Sequence, residues 1–356
     1  MFTWTDNIYD AVWNHLKLFA YPANVKRLLT GEIASNRQIK YDDQVTIKRK
    51  SRQIAYSISH AIEYFNAADT ISINTSPLLY FYGMLSLAKA LIVANNPDIL
   101  LDDIKYHGLY VRPISNDLRQ YVEDQSQWNI DREFAVSNEG VFKHLTDLIQ
   151  GFKLPDSSII FLKNLLSVDP ELSEIYRKYY QEEPSCQYLS DHRVVEDPKK
   201  DVFIFELLVK CDDKISLEKR FPALKSSFEI GGRSGGNKKL GYRNKGSVKS
   251  FPDSLGIYGP TTGGNYLIGG LEYENNGKTF KRYIVPELCD YLSMFILSNC
   301  VRYKQEFWGQ VVRGEIEGTI GIINLFISNS KRRFPNFILN SLFNESFKYG
   351  SPGYLT

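Results

Sequence analysis

One long apolar segment, SPLLYFYGMLSLAKALIV at residues 76–93, constrains the fold of this chain more than any other part of the sequence. A membrane-spanning helix needs about 20 predominantly apolar residues, but the polar sequence TISINTS precedes the segment and Lys89 interrupts it. Apolar residues nearly all round the helical pattern predict a helix buried inside the protein, with Ser76 and Pro77 suited to its start. An amphipathic pattern over residues 46–68 predicts a second helix that packs against it.

The composition of the chain places few limits on its function. Of 356 residues, 43% are hydrophobic and 24% are charged, which is ordinary for globular proteins. The net charge is only +2, so any contact with nucleic acid has to come from a local cluster of cations. The four cysteines and five histidines show no metal-binding spacing, and the N-terminus shows no signal-peptide pattern. We therefore expect a cytoplasmic protein with no cofactor, no metal and no membrane association.

The order of the patterns along the chain predicts an α+β fold that is mainly α. We expect a helical bundle formed by the N- and C-terminal helices, with an inserted small antiparallel β-rich subdomain. The expected parts are an α-helical N-terminal part at 1–195, a β-rich insert with a basic, glycine-rich loop at 196–285, and C-terminal helices at 286–356 that pack back on the N-terminal part. The dipeptide Asn276-Gly277 predicts a β-hairpin within the insert.

Local patterns give further expectations about individual elements. Residues 156–167 have a helical pattern, whereas the polar segment 180–201 is typical of a domain boundary or a loop. The sequence PELCDYLSMFILSNCVRYKQEFWGQVV, beginning at Pro286, predicts one long helix. Two further helices are expected at 317–329 and 334–347.

Two blocks of the sequence resemble a known family. The apolar segment is followed shortly by Tyr106-His107-Gly108-Leu109, and a second set of residues lies nearer the C-terminus: Pro286, Tyr291-Leu292, Arg302-Tyr303, Trp308 and Phe334-Pro335. In these residues the chain resembles the YaaC-like protein family of bacteria, a resemblance that implies neither an activity nor catalytic residues. The hairpin at 52–94 is also similar, at the level of fold only, to the paired helices of HEPN-type bundles, which occur in toxin–antitoxin and phage-defence systems.

The similarity to HEPN bundles can be tested against the histidines. HEPN ribonucleases use an arginine followed four to six residues later by a histidine, and none of the five histidines here has an arginine at that distance upstream. Arg52 comes nearest, eight residues before His60, a spacing at which both side chains still share one helix face. His107 beside a glycine, with Arg112 five residues further on, is the other candidate. Because no catalytic motif is intact, these four residues do not favour an enzyme.

Residues 230–250 form the most basic part of the chain and contain no acidic residue. Glycine-rich backbone beside cations can approach phosphate groups closely, whereas the alternative is a solvated loop that keeps the protein soluble. The candidate binding residues are Arg233, Lys238, Lys239, Arg243, Lys245 and Lys249. A candidate groove is formed by Arg302, Tyr303 and Trp308, if all three lie on one helix.

These observations favour a bacterial protein that works by binding. The expected partner is nucleic acid, a nucleotide or another anionic partner such as an acidic protein, in a defence or stress context. Two alternatives stay open: a divergent HEPN-like ribonuclease or toxin-type effector that uses His60 or His107, and a structural subunit of a protein complex.

Overall fold

The computed structural model describes residues 2–5, 7–37, 39–197, 200, 202–211, 213–231, 239–259, 265–316 and 318–350. The chain divides into two compact units. The first contains the residues up to Leu162 and those from Glu287 onward, and the second is Lys163–Pro286. We call them the helical unit and the sheet unit. The sheet unit therefore begins before residue 196, where the insert was expected to start.

Most strands and helices of the helical unit lie in its N-terminal segment. They are β1 (Phe2–Trp4), α1 (Ile8–Lys17), α2 (Pro22–Leu29), α3 (Gln44–Thr70), α4 (Ser76–Asn95), β2 (His107–Tyr110), α5 (Asn116–Glu123), β3 (Phe134–Gly140), α6 (Val141–Gln150) and β4 (Ile159–Phe161). Strand β3 pairs antiparallel with β2 on one side and β4 on the other. The predicted helical hairpin is confirmed as α3 and α4.

The sheet unit is reached through α7 (Leu162–Ser167). Its other elements are α8 (Ser173–Tyr180), β5 (Cys186–Asp197), β6 (Val202–Lys210), α9 (Lys214–Arg220), α10 (Pro222–Ser227), β7 (Phe228–Ile230), β8 (Lys239–Asn244), β9 (Leu255–Tyr258), β10 (Asn265–Gly269), β11 (Leu271–Asn275) and β12 (Lys278–Arg282). Six strands form an antiparallel sheet in the order β7-β8-β6-β5-β10-β9. Leu207 and Val209 of β6 share a core with Leu224 of α10. Strands β11 and β12 form the predicted hairpin around Asn276-Gly277.

The helical unit is completed by the C-terminal segment, which contains α11 (Pro286–Tyr303), α12 (Gln305–Arg313), α13 (Ile320–Phe343) and β13 (Lys348–Gly350). Strand β13 pairs in parallel with β1. On α11, the ring of Phe295 lies 5.4 Å from that of Phe81 on α4, and Tyr291 stacks on Phe142 of α6. The N- and C-terminal helices therefore form one bundle, and the predicted α+β, mainly α fold is confirmed.

Helix α4 is the central helix of this bundle. Met84, Leu87 and Leu91 are fully buried. A Cβ atom on Gly83 would lie 2.4 Å from the ring of Phe65, so glycine allows α3 and α4 to approach closely. The helix is long and apolar enough to cross a membrane, with a mean hydropathy of 1.6 over an 18-residue window, but 67% of that window is buried inside the protein. A buried core helix accounts for this apolar sequence.

Two buried cations bind carbonyl oxygens at the C-terminal end of α4. The Nζ of Lys50 donates to the carbonyl oxygens of Val93, Asn96 and Ile99, at 2.6–3.2 Å. Arg37 donates to the carbonyl oxygen of Ala94 at 2.7 Å. Burial lowers the pKa of both Lys50 and Arg37. The partial negative charge at a helix C-terminus offsets part of this burial cost.

Several local expectations were wrong. Residues 156–167 form β4 followed by α7 instead of one helix, because a short apolar run such as Ile159–Phe161 is ambiguous by pattern alone. The polar segment 180–201 contains β5, which pairs with β6 along most of its length. The N-terminal part at 1–195 is thus not purely helical.

The C-terminal helices also differ from expectation. The helix from Pro286 ends at Tyr303, because Lys304 has non-helical backbone angles of φ −130° and ψ 50°. Conversely, α13 continues through Pro335 where two helices were expected. Proline inside a helix costs about 3 kcal/mol, but its neighbours Phe334 and Ile338 are fully buried, so packing outweighs that cost.

Candidate functional site

The candidate site with the clearest geometry lies in the helical unit, where β2 begins at His107. Gly108 has φ +83°, and a β-bulge shifts the register between His107 and Leu109 against β3. A Cβ atom on Gly108 would lie 2.8 Å from the backbone nitrogen of Phe142, so another residue would displace backbone. Bulges re-aim side chains, and this one sets the direction of His107.

The imidazole ring of His107 is held by ring contacts and by one hydrogen bond. Its centre lies 5.0 Å from that of Phe295 and 6.1 Å from that of Phe81. The backbone N–H of Leu109 donates to Nδ1 at 3.2 Å. Because Nδ1 accepts, the proton of the neutral ring is on Nε2. Nε2 is therefore the donor that the ring can offer to a ligand.

Arg302 is half-buried near the end of α11, and its hydrogen bonds to the described residues are all long contacts with neutral groups. They are Nη1 to the Tyr82 hydroxyl at 3.5 Å, Nη2 to Oδ1 of Asn299 at 3.3 Å, and Nε to the carbonyl oxygen of Ser298 at 3.4 Å. The guanidinium also lies 5.0 Å from the ring centre of Tyr303. Strong N–H···O hydrogen bonds span about 2.7–3.2 Å, so much of the hydrogen-bonding capacity of Arg302 is unused.

Lys89 is the second cation at this site, beside Arg302 and the neutral His107. It follows Tyr82 by seven residues on α4, which places both side chains on one helix face about two turns apart. Burial lowers the pKa of Lys89. Lys89 makes no ion pair or side-chain hydrogen bond with any residue that the structure describes.

Arg302 and Lys89 both act electrostatically on His107. Burial lowers the pKa of His107, and the charges of Arg302 and Lys89 lower it further. Both charged groups that shift this pKa are cations. We call Lys89, His107 and Arg302 the cationic cluster.

Three other buried or half-buried cations of the helical unit have acidic partners on the described residues, unlike the cations of the cluster. Each of three pairs joins a cation to a carboxylate: Arg333 to Asp290, Lys304 to Glu133 and Lys331 to Asp69, with shortest N···O distances of 2.6, 2.6 and 2.8 Å. Where Arg37 and Lys50 lack a carboxylate, carbonyl oxygens at helix ends take its place. The cationic cluster has no carboxylate partner on the described residues, and the contact of Arg302 Nε with the carbonyl oxygen of Ser298 is long, at 3.4 Å. A pair of cations without a carboxylate is the arrangement of a site for an anion.

The structure brings together only some of the predicted site residues. His107 and Arg302, which were predicted in separate constellations, meet in the cationic cluster. Arg52, His60 and Arg112 are exposed, and no hydrogen bond or ion pair joins them to His107 in the described part of the chain. Arg52 instead lines a cavity between α2 and α3.

The predicted groove of Arg302, Tyr303 and Trp308 was wrong. Trp308 lies on α12 because the helix ends at Tyr303. Its indole is buried and donates to the carbonyl oxygens of Ile73 and Asn74 at 3.3 and 3.1 Å. Trp308 therefore anchors the turn before α4, while Tyr303 is exposed beside Arg302.

Part of the basic segment at 230–250 is strand, because Ile230 ends β7 and Lys239–Asn244 form β8. Arg233 and Lys238 lie outside the described residues, and Lys239 begins β8. Arg243 of β8 lies opposite Glu206 of β6, with 4.0 Å between Nε and Oε1.

That pair belongs to a row of alternating charges across four strands: Arg193, Glu206, Arg243 and Glu229. Lys245 donates to the carbonyl oxygens of Lys225 and Ser226, at the end of α10. These contacts engage two of the predicted binding cations.

Lys239 and Lys249 remain exposed, without an ion pair to any described residue. Lys239 is directly opposite Lys210 in the pairing of β8 with β6. Side chains opposite each other in antiparallel strands have Cβ atoms about 4.5–5.5 Å apart, and like charges at that spacing are destabilising. A negatively charged partner would relieve this repulsion.

Sequence reasoning missed Lys89 and Tyr82 as parts of a site. Lys89 was noticed only because it interrupts an apolar segment. That interruption was the available signal, since a lone cation within a buried helix needs a partner.

The fold and the cluster together define a mainly helical α+β protein with a cationic site beside its central helix that has no carboxylate partner on the described residues. Within that class, the chain belongs to the YaaC-like protein family, whose family model matches residues 17–342. Comparison with curated proteins found no match, and neither did comparison with solved structures.

Proposed function

We propose that this protein works by binding, and that the cationic cluster binds a phosphate group of a nucleotide or of nucleic acid. The observation that carries the proposal is that Lys89, His107 and Arg302 are half-buried together without an acidic partner on the described residues. Mutual repulsion of cations in a partly desolvated site is unfavourable, and a bound anion would reverse it.

The donor set suits a phosphate group. The planar guanidinium of Arg302 can donate two parallel hydrogen bonds, Lys89 supplies a compact charge, and the Nε2–H of His107 supplies a directed donor. Charge-assisted hydrogen bonds of this kind gain strength where water is partly excluded. Tyr82, which stacks on Tyr64 with ring centres 5.6 Å apart, adds an aromatic surface beside Arg302.

The ribonuclease alternative has less support. In the neutral ring Nε2 carries the proton and the lone pair of Nδ1 accepts from the backbone N–H of Leu109, so no lone pair of His107 is free to act as a general base. Arg52 and His60 make no contact with that ring in the described residues. Similarity to HEPN bundles, a cytoplasmic location, a role in defence and a role as a structural subunit stay predictions.

A second candidate function is contact of the sheet unit with a polyanion such as nucleic acid. It rests on the opposed pair Lys210 and Lys239, which lacks a carboxylate where the neighbouring row of charges is balanced. Four of the predicted binding cations remain candidates for this contact. Lys239 and Lys249 are exposed, and Arg233 and Lys238 belong to the same basic segment of the sequence.

Isothermal titration calorimetry on the full chain tests the main proposal with inorganic pyrophosphate, a nucleoside triphosphate and a short RNA. We expect Lys89→Gln and Arg302→Gln each to weaken binding by about tenfold or more, because each removes a charge-assisted contact. The matched control is Arg112→Gln, an exposed cation five residues from His107, which should bind as the unchanged protein does. No binding by the unchanged protein, or unchanged binding by both cluster variants, would overturn the proposal.

A further inference from the structure

A second group of cations, without ion pairs to the described residues, lines a cavity between α2 and α3 in the helical unit. Lys26 of α2 faces the same cavity of about 310 Å³ as Lys48 and Arg52 of α3. Small-molecule sites commonly have about 300–1,000 Å³, so the cavity is large enough for a small organic ligand. No acidic side chain lines it.

Two other arginines of α2 and α3 do have carboxylate partners. Arg27 pairs with Glu32 at 2.6 Å, and Arg49 approaches Asp102 at 3.8 Å. Lys26, Lys48 and Arg52, by contrast, have no ion pair or side-chain hydrogen bond to any described residue.

The spacing of the two cations on α3 is itself unfavourable. Lys48 and Arg52 are four residues apart, and like charges at that spacing are neighbours on the helix surface and destabilise it. An anion bound between them would remove the repulsion. The same three cations would then supply charge-assisted donors at the rim of the cavity.

Apolar groups also line the cavity. They are Pro22 and Ala23, at the start of α2, and the buried Ile47 of α3. The Ser51 hydroxyl donates to the carbonyl oxygen of Ile47, so its hydrogen is not available to a ligand. A ligand that fits both parts has a negative group at one end and an apolar body at the other.

We propose that this cavity binds a small organic oxyanion, a carboxylate or phosphate attached to an apolar body. The site is separate from the cationic cluster and does not depend on the proposed function. Another cavity of the helical unit, of about 360 Å³, differs in this respect, because its arginine, Arg37, already donates to carbonyl oxygens of the protein.

Fluorescence titration with 8-anilinonaphthalene-1-sulfonate tests the proposal on the full chain, since this dye is an oxyanion on an aromatic body. We expect saturable binding that Lys48→Gln with Arg52→Gln weakens by about tenfold or more. Ala23→Leu should reduce binding as strongly by filling the cavity while all three cations remain. Circular dichroism would verify that each variant is folded.

Two controls distinguish this site from nonspecific attraction and from the cationic cluster. Arg49→Gln removes a cation from the same helix that does not line the cavity, and Arg302→Gln alters the cluster; both should leave dye binding unchanged. Competition by decanoate or by phenyl phosphate would show which oxyanion the site prefers. Equal binding by the Ala23→Leu variant, or equal weakening by Arg49→Gln, would overturn the proposal.

Discussion

Arg333 and Asp290 form a two-point ion pair inside the helical unit, with Nε to Oδ2 at 2.8 Å and Nη2 to Oδ1 at 2.6 Å. Their side chains are only 4% and 1% exposed. The pair joins α13 to α11 and shows how this fold treats a buried cation whose role is structural. Arg302, on the same helix as Asp290, has no such carboxylate partner among the residues that the structure describes.

Removal of the Asp290 charge should therefore destabilise the fold strongly. We expect Asp290→Asn to lower the free energy of unfolding by about 3–5 kcal/mol, because it leaves the Arg333 charge buried without its carboxylate. Urea denaturation measures the change. The control is Arg313→Gln, at a side chain that is 77% exposed, which should change stability by less than about 0.5 kcal/mol. Similar effects of the two changes would contradict the structural role of the pair.

Burial along α4 can be tested with two leucines only two residues apart. Leu87 is fully buried, whereas Leu85 is half-buried on the face that also carries Lys89. We expect Leu87→Ala to cost about 2–5 kcal/mol in the free energy of unfolding, and Leu85→Ala to cost clearly less. Thermal and urea unfolding of both variants would check this. An equal or larger cost at Leu85 would contradict the orientation of the central helix.

Anion binding at the cationic cluster should depend on pH in a defined direction. Burial and the charges of Arg302 and Lys89 lower the pKa of His107 in the free protein, and a bound anion favours the charged imidazolium and raises it. Binding therefore takes up a proton at Nδ1, at the expense of the hydrogen bond that Nδ1 accepts from Leu109. Affinity should increase as the pH falls from the pKa of the complex to the lower pKa of the free protein.

Sulfate is a suitable probe for that dependence, because its own charge does not change between pH 5 and pH 8. His107→Gln should keep some sulfate binding but lose the pH dependence, and Arg112→Gln should keep both. A steeper dependence at high pH, or the same dependence in the His107→Gln variant, would show that another group controls binding.

Contact of nucleic acid with the sheet unit should follow the unbalanced lysines of β6 and β8. We expect Lys239→Gln with Lys210→Gln to weaken RNA or DNA binding about equally for different sequences and to reduce its salt dependence, because phosphate contacts carry no base information. Arg243→Gln should have a smaller effect, since Glu206 already balances that charge. Filter binding at two salt concentrations measures both. A larger loss from Arg243→Gln would point to the balanced row instead.

Periodicity in the sequence was sufficient to predict α3, α4 and the bundle, because the stripes of apolar residues are long and regular there. The balance of charges in the basic segment could not be predicted in the same way. Glu206 and Arg243 are 37 residues apart and become neighbours only through the register of β6 with β8. The sequence shows the cations of 230–250 but not the carboxylates that face them.

The cationic cluster was beyond sequence reasoning for a similar reason. Lys89, His107 and Arg302 come from three separate elements, and only the packing of α11 on α4 brings Arg302 to Tyr82. His107 and Arg302 were each identified as candidates, but their convergence is a property of the tertiary structure. Trp308 shows the opposite error, because helical spacing placed it beside Arg302 and a break at Lys304 moved it away.

The most direct test of the central claim is an NMR titration of the His107 imidazole in the full chain, with and without sulfate, assigned by comparison with His107→Gln. We predict that the pKa of His107 lies below the usual value of about 6.5 in the free protein and rises when sulfate binds. Arg302→Gln should raise the pKa of His107 in the free protein and remove most of its response to sulfate. A His107 pKa that sulfate leaves unchanged at saturating concentration would contradict anion binding at this cluster.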